Sequence, residues 1–540
     1  SLHIYDSWVG RMLRRPFAAL AAFAIIIAVA FWGFVKWPTS YVPEEDMGYF
    51  MTSVQLPVGA SLERTDSVMR AVGNEIASLP EVKNVISVSG QSFIAGGAAS
   101  NMGSFFVVLK PWNERRGKSH SVNAVIERLD EKTSAIQQAV VFSINPPAIS
   151  GLGMTSGAQM QILDINNLGA AEMGKIVNAM QDAARKDPRL ASITSVYEGL
   201  VPQYRVTIDR DRVKMAGVTV EDVYNTLSLY MGSSYVNDFV EFGRVYEVLL
   251  GAEGSRRADP RDVLDLSVRN ADGEMVSFGV FAKVEPVMGQ ASVNRYNMYN
   301  TASVTGTAAK DVSSSAAIEA MEEILHDVGG NNYSFAWTGE AYQETQAGTT
   351  ITTVLLFAVI ITLLVLAAQY ESWTDPVAVI ITTPTAILGT VLGCMIMNQS
   401  ISIYTQIGII LLLGMAAKNA ILIVEYAMDY RRAGQPIRQA AVDAGHVRFR
   451  PIMMTALAFV FGVMPMLFAT GAGAESRISL GTAVVFGMAV NAVVGTLFVP
   501  NFWELFQNFQ ERYLSRIFSG SGQSTASTPT DTGSTPPADK

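Results

Sequence analysis

Five strongly apolar stretches of this chain contain no Asp, Glu, Lys or Arg: residues 16–35, 345–370, 376–417, 451–474 and 478–503. A helix needs about 20 apolar residues to cross the hydrocarbon core of a bilayer, and each stretch meets that length. The third is about twice as long, and the polar break MNQSIS at Met397–Ser402 divides it into two spans. Six transmembrane helices are expected. Composition agrees, since 49% of the 540 residues are hydrophobic and 16% charged, richer in apolar residues than a soluble domain.

The spans are unevenly distributed: one stands near the N-terminus, roughly 300 polar residues follow, and five come close together, a 1 + 5 arrangement. Arg11, Arg14 and Arg15 precede the first span. Arg431, Arg432, Arg438, Arg448 and Arg450 lie between the fourth and fifth, and Arg512 and Arg516 follow the sixth. If the spans alternate, all ten fall on one side, which is therefore cytoplasmic. The large polar region is then external, periplasmic in a Gram-negative cell. Residues 38–345 hold 25 Lys+Arg against 37 Asp+Glu, an acidic surface that tolerates cationic ligands and speaks against nucleic acid.

Cys394 is the only cysteine, so no internal disulfide can form. The four histidines, His3, His120, His326 and His446, lack metal-ligand spacing. No nucleophile, base and orienting residue group together as an enzyme would require. The N-terminal apolar stretch has no small-residue cleavage pattern and is expected to be a retained span. Residues 519–540 are rich in Ser, Thr, Pro and Gly and are expected to be a disordered tail.

Between Tyr49 and Ile144, strand-like and amphipathic helical segments alternate as βαββαβ, the ferredoxin-like split βαβ unit. A second copy begins at AQMQILDI and resumes, after an insertion, at NMYNTASVTGTA. Two such sandwiches in tandem make a hinge. The insertion contains a hairpin, SSYVNDFVEFGRVYEVLL, and a turn at NADGE. The expected fold is therefore an α-helical membrane bundle with a large α+β external region. Its boundaries read 1–15 cytoplasmic, 16–37 first span, 38–155 first unit, 156–201 with 290–340 the split second unit, and 202–289 the insertion. The later spans read 345–370, 376–397, 401–428, 451–472 and 478–503, with a cytoplasmic end at 504–518.

One charge violates the pattern. Lys418 in GMAAKNAILIVEYA lies 17 residues beyond Ile401, deep in the fourth span. An unpaired ammonium at the bilayer centre costs about 2.5–3.5 kcal/mol on insertion scales, so such a residue faces the bundle interior and finds a partner. Glu425 is seven residues on, roughly 10 Å along the same helix face and near the cytoplasmic arginines. Glu475 and Glu504 are at span ends. The acid that Lys418 needs is therefore expected from another polypeptide or a second half. The bland alternative is a snorkelling lysine, which the depth of Lys418 disfavours.

GMAAKNAILIVEYA, HVRFRPIMMTALAFVFGVMPMLFATGAGAESR, SSYVNDFVEFGRV and AAQYESWTDP together resemble the C-terminal half of resistance-nodulation-division (RND) multidrug efflux pumps of the hydrophobe/amphiphile class, over Ser1 to Phe518. The resemblance implies a proton-driven drug exporter of the bacterial inner membrane. It would have two periplasmic porter subdomains and an inserted docking subdomain, and would use the proton gradient without a cofactor. Its implied partners are an N-terminal half carrying paired aspartates, a trimer-like assembly, a periplasmic adaptor and an outer-membrane channel. Lys418 matches the lysine that pairs with the aspartates, Arg448 the arginine at the cytoplasmic entrance of the proton relay, and Thr455 the threonine facing the acids. Arg448 and Thr455, seven apart, share a helix face; the bland role for Thr455 is a hydroxyl bonded to its own helix.

SGQSFIAGGAASNMGSFF matches the substrate pocket and its switch loop. Phe93 and Phe106 fall at pocket aromatics, Ile86, Val88 and Gln91 at other lining positions, and Ile94, Ala95, Gly96 and Gly97 in the loop. Ile86, Gln91 and Ile144 stand where the best-known pattern has further aromatics, which implies weaker stacking on flat drugs. Tyr197 replaces a basic residue often found near the cleft. Two other readings are a heavy-metal exporter half, which would show clustered methionines and intramembrane carboxylates, and a non-transporting structural or regulatory half.

Overall fold

The computed structural model describes residues 2–94, 96–153, 155–309 and 312–511, without the side chains of Ile4, Lys118 and residues 348–352. Ala95 of the expected switch loop, Arg512, Arg516, the cytoplasmic end beyond 511 and the tail 519–540 lie outside the described residues.

An amphipathic helix α1 (Leu2–Arg14) precedes the first membrane helix, α2 (Pro16–Lys36), with Pro16 at the first helical position, where its missing N–H costs nothing. Tyr5, Val9 and Leu13 recur every four residues and are buried against Val442, Phe449 and Leu497. The Tyr5 ring stacks on Phe449 at 4.4 Å and its hydroxyl donates to the Thr496 carbonyl. The N-terminal segment is thus a helix seated on the bundle, because its apolar residues recur at helical spacing.

The first α+β unit comprises β1 (Tyr49–Gln55), α3 (Leu62–Ala77), β2 (Val82–Ser92), β3 (Gly97–Leu109), α4 (Val122–Thr133) and β4 (Val140–Ile144). Its antiparallel strand order is β2-β3-β1-β4. Ser61 and Ser121 cap α3 and α4 through their hydroxyls, as serine does before an apolar-periodic run. Phe50 and Val54 of β1 and Phe105, Val107 and Leu109 of β3 alternate toward the two helices, where they meet Val72, Ile76, Val125 and Leu129. The opposite face of the sheet carries no helix from this unit.

The second unit begins with β5 (Ala158–Asp164), α5 (Ala170–Ala184) and β6 (Leu190–Thr194). An insertion then runs through β7 (Leu200–Ile208), α6 (Arg210–Met215), α7 (Val220–Met231), the hairpin β8 (Ser234–Glu241) with β9 (Arg244–Leu250), α8 (Asp262–Asp265), β10 (Ser267–Arg269), β11 (Met275–Ser277) and β12 (Ala282–Gln290). β7 and β12 pair along their full length as a two-stranded stalk, and a small core of valines and Phe278 caps it. The second unit resumes with β13 (Arg295–Tyr296), β14 (Tyr299–Ala308), α9 (Ser314–Gly329) and β15 (Tyr333–Thr338). β6 pairs with β14, β14 with β5 and β5 with β15, the same strand sequence as in the first unit.

Five further membrane helices follow, so six helices among the described residues are long and apolar enough to cross a bilayer. α10 (Gly339–Tyr370) leaves the second unit as one continuous helix, beginning before the charge-free window at Thr345. The next span is broken: α11 (Thr374–Ile380) ends at the Thr382–Thr383 turn, and α12 (Pro384–Met397) starts on a proline. The hydroxyls of Thr382, Thr383 and Thr385 donate to the carbonyls of Val379, Ile380 and Thr382 around the break, which the backbone N–H groups of the same three threonines also reach. α13 (Ile403–Arg432) carries a capping box at Ser402 and Thr405. α14 (Ile437–Val463) starts well before the window at Pro451, which lies within it. The last span combines α15 (Ala474–Val490), a π-turn at Asn491–Gly495 and α16 (Thr496–Phe509). Gly389 and Gly393 of α12, four apart, bring that helix against Phe486 and Gly487 of α15, the close approach small residues permit in membranes.

Three consecutive acids tie the α+β region to the bundle. Glu44 accepts from Asn123 Nδ2, and Asp46 receives Arg115 and the N–H of Val122. Burial alone would raise the Asp46 carboxyl, but the Arg115 guanidinium and two backbone N–H groups hold it below the usual carboxylate range. Glu45 turns the other way and accepts from the N–H groups of Glu475 and Ser476 at the start of α15.

Candidate functional site

α13 buries Thr405, Ile409, Leu412, Ala416, Ala420, Ile423 and Ala427 along one stripe. Ile407, Leu411, Gly414, Lys418 and Glu425 form a second stripe, spaced four, three, four and seven, which stays exposed on the surface of the chain. Lys418 therefore stands on the uncovered side of its helix. Among the described residues no ion pair joins it to Glu425 or to any other acid.

Arg448, on α14, lies over the ring of Tyr426 from α13, with Cζ 3.7 Å from the centroid. Such a contact contributes roughly 0.5–2 kcal/mol and fixes the guanidinium beside the helix that carries Lys418. Its Nε is buried without a hydrogen-bond partner. Thr455 is exposed two turns further along α14, and its hydroxyl donates to the Ile452 carbonyl at 3.0 Å. Asn419, beside Lys418 in sequence, has a buried and unpartnered Nδ2. Sequence reasoning missed this residue, because an asparagine in a membrane span passes unnoticed when only formal charges are counted.

The second candidate region is the helix-free face of the first sheet. Register places Ile86 beside Phe106, Phe106 beside Met51 and Met51 beside Ile144, one row across all four strands. Val88, Ser104, Ser53 and Phe142 form the next row. Phe93, just after β2, meets Phe106 edge to face at 4.8 Å. Both rings are half-buried and outside the core cluster of this unit. Phe93, Phe106, Ile86 and Val88 are thus together, whereas Gln91 pairs with Ala98 across the hairpin and is exposed. Gly96 adopts φ +72°, a left-handed conformation that favours glycine, and Gly97 opens β3.

Ile94 reaches the neighbouring cleft between the two units, a space of about 80 Å³ that Phe142, Ile144, Thr194 and Ser195 also line. Phe142 and Ser195 were missed by sequence reasoning; the parity of Phe142 with Ile144 on β4 was the available signal. Glu198 bridges the units by accepting from Gln55 Nε2 at 2.7 Å and Asn101 Nδ2 at 3.1 Å. Tyr197 packs on the edge of the second core, and burial raises its phenol above the ordinary range.

Residues 1–507 match the AcrB/AcrD/AcrF family. The chain is 36% identical over 505 residues to the toluene efflux pump membrane transporter TtgB of Pseudomonas putida, an alignment covering 93% of this chain and 48% of that protein. It is 36% identical over 512 residues to the multidrug export protein AcrF of Escherichia coli (strain K12), covering 93% and 49%. With the multidrug resistance protein MdtF of the same strain the identity is 35% over 518 residues, covering 95% and 49%. The chain spans about half the length of these relatives.

Proposed function

The chain belongs to the AcrB/AcrD/AcrF family of RND efflux transporters, and from that premise we propose that it is the C-terminal half of a proton-driven exporter of hydrophobic and amphiphilic drugs. The observation that carries the reading is Lys418, an ammonium within a membrane helix, on its uncovered side and without a partner among the described residues. A charge so placed needs a carboxylate from outside the chain. An N-terminal half with paired aspartates would supply it.

The residues then have distinct tasks. The Lys418 ammonium lowers the proton affinity of carboxylates brought beside it and keeps them ionised until a proton arrives from the external side. Neutralising an acid removes its attraction for Lys418, and the lysine and its helix shift relative to the partner. Arg448, held by Tyr426, keeps positive charge at the cytoplasmic end of the path, and the Thr455 hydroxyl can turn from the Ile452 carbonyl to an acid opposite it. No cofactor enters this scheme; the proton gradient is the energy source.

Substrate would bind on the open sheet face, where Phe93 and Phe106 offer an edge-to-face pair and Ile86 and Val88 an aliphatic floor, with Gln91 at the rim. Ile94, Ala95, Gly96 and Gly97 would form the moving loop between this face and the cleft of the second unit. The proposed setting is a trimer-like assembly in the bacterial inner membrane. The α+β region would be periplasmic, joined to a periplasmic adaptor and an outer-membrane channel.

Dye and antibiotic efflux from cells carrying this chain with its cognate N-terminal half tests the reading. Lys418→Met at matched membrane abundance should abolish export while assembly persists. Normal export by that variant would show the lysine to be incidental and remove the mechanism.

A further inference from the structure

Helix α1 ends at Arg14 and the membrane helix α2 starts at Pro16, so α1 lies at the boundary between hydrocarbon and water. An amphipathic helix in that position ordinarily lays its apolar stripe into the acyl chains. Here the stripe is already covered, since Tyr5, Val9 and Leu13 are buried against Val442, Phe449 and Leu497. α1 leaves a different face uncovered. Trp8, Arg11 and Arg15 follow one another at spacings of three and four, which sets them in one row, and all three are exposed. Arg14, three residues from Arg11 and also exposed, adds to the charge of the row.

The helix is polarised across its width. Asp6 is the only Asp or Glu before Glu44, and it lies about two and a half turns from Arg15, which puts it on the opposite flank. There its Oδ2 meets His446 Nδ1 of α14 at 2.9 Å. Among the described residues no acid pairs with Arg11, Arg14 or Arg15. Arg11 is nonetheless held: its Nη2 donates to Ser7 Oγ at 2.8 Å, and its Cζ stands 5.5 Å from the centroid of the Trp8 ring. Most of its N–H fork stays free, beside an indole that is 52% exposed. Phe17, 87% exposed in the first turn of α2, places an aromatic ring at the start of the apolar span.

We propose that the row of Trp8, Arg11 and Arg15 is a binding site for the headgroup of an anionic phospholipid. Arg11 and Arg15 would share the phosphodiester, whose oxygens match the planar donors of a guanidinium, and Arg14 would add to the field. Trp8 would lie at the glycerol level, with its ring toward the acyl chains and its N–H toward the headgroup. A zwitterionic headgroup brings its own ammonium beside the phosphate and meets the arginines with a repulsion that an anionic one lacks. Each arginine near an anionic lipid surface strengthens binding about fivefold, so Arg11 and Arg15 together give a preference of about 25-fold. His446 and Phe449, on which α1 is seated, stand on either side of Arg448, so a bound headgroup steadies the segment that carries that arginine.

The site goes beyond the transport reading, because lipid binding needs neither a second half nor a proton gradient; normal export by Lys418→Met would leave it standing. The test is quenching of Trp8 by acyl-brominated lipids, with the full chain in phosphatidylcholine nanodiscs and the Trp8 signal taken as the difference between the native chain and Trp8→Phe. Brominated phosphatidylglycerol, as a minor component, should quench Trp8 at a mole fraction about 25-fold lower than brominated phosphatidylcholine. Arg11→Gln and Arg15→Gln should each reduce that preference about fivefold, and added salt should reduce it in the native chain. The double variant Arg11→Lys and Arg15→Lys keeps the charge and should retain most of the preference, which separates loss of the headgroup from unfolding of α1. Arg450→Gln removes an exposed arginine one turn from His446, on the Asp6 side of α1, and should change nothing. Equal quenching by the two lipids, an equal loss in Arg450→Gln, or displacement of the lipid by soluble glycerol phosphate would overturn the assignment.

Discussion

Substituting Gly389 by alanine probes a close helix contact in the bundle. A Cβ added there would lie 2.5 Å from the Phe486 carbonyl oxygen and 2.8 Å from both Gly487 Cα and Val490 Cβ. Two of these three atoms are backbone, so no side-chain rotation relieves the clash, and α12 must withdraw from α15 by roughly 1 Å to restore ordinary contact distances. Overpacking of this kind costs about 1–3 kcal/mol. Withdrawal also stretches the bond from Thr390 Oγ1 to the Ala483 carbonyl, 3.2 Å in the native packing, and interhelical bonds of this type contribute about 0.6 kcal/mol. Against this stands the intrinsic gain of alanine over glycine in a helix, about 1 kcal/mol. The net expectation is a loss of about 1–2 kcal/mol. The assay is unfolding of the detergent-solubilised chain by sodium dodecyl sulfate, followed by loss of helical circular dichroism. Gly462→Ala, where an added Cβ meets nothing within 4 Å, is the control and should lose nothing. If Gly389→Ala unfolds at the native midpoint, or the control falls equally, close glycine-mediated packing of α12 on α15 is not what holds this part of the bundle together.

Glu45 is 2% exposed and satisfies the Glu475 and Ser476 N–H groups and the Ser476 hydroxyl, so removing its carboxyl leaves buried donors unpaired at a helix N-terminus. In the same detergent titration Glu45→Ala should lose about 2–3 kcal/mol and Glu45→Gln less; equal stability of all three would refute the cap. Asp130 tests the pH dependence of the first α+β unit. Burial raises its carboxyl to about 6 against partly compensating bonds from Ser143, so the folded form binds this proton more tightly than the unfolded chain does. The sign follows: this group disfavours folding above pH 6, and the penalty fades as pH falls toward 4. Asp130→Asn should therefore raise the thermal unfolding midpoint at pH 7.5 and leave it nearly unchanged at pH 4, whereas a larger gain at pH 4 would reverse the assigned sign.

What could be read from the sequence, and what could not, follows from the range of the forces involved. Charge-free windows mark where hydrocarbon excludes charge, so they locate the spans; they say nothing about where backbone hydrogen bonding stops. α10 and α14 accordingly begin before their windows, at Gly339 and Ile437. Alternation along β3 distinguishes Phe105 from Phe106, but only the placement of α3 and α4 decides which ring enters the core and which stays on the open face. Lys418 was legible because a charge in a membrane helix is conspicuous by itself, and a misfit reveals a need without revealing its supplier. The cavity of about 790 Å³ at the external end of α2 had no such local mark. Glu44, Glu340, Glu344 and Glu475 are ordinary surface acids in their own segments, and they become one wall only when the linker after α2, the foot of the second unit and the start of α15 meet. The exposed stripe of α13 joins the two kinds of information. Ile407, Leu411, Gly414 and Lys418 recur with the spacing of a helix-packing seam, and the small residue Gly414 lies one turn from the ammonium. A helix from the proposed N-terminal half could approach closely at Gly414 and present its carboxylates to Lys418 in the same contact, so the packing requirement and the electrostatic requirement of α13 point to one surface.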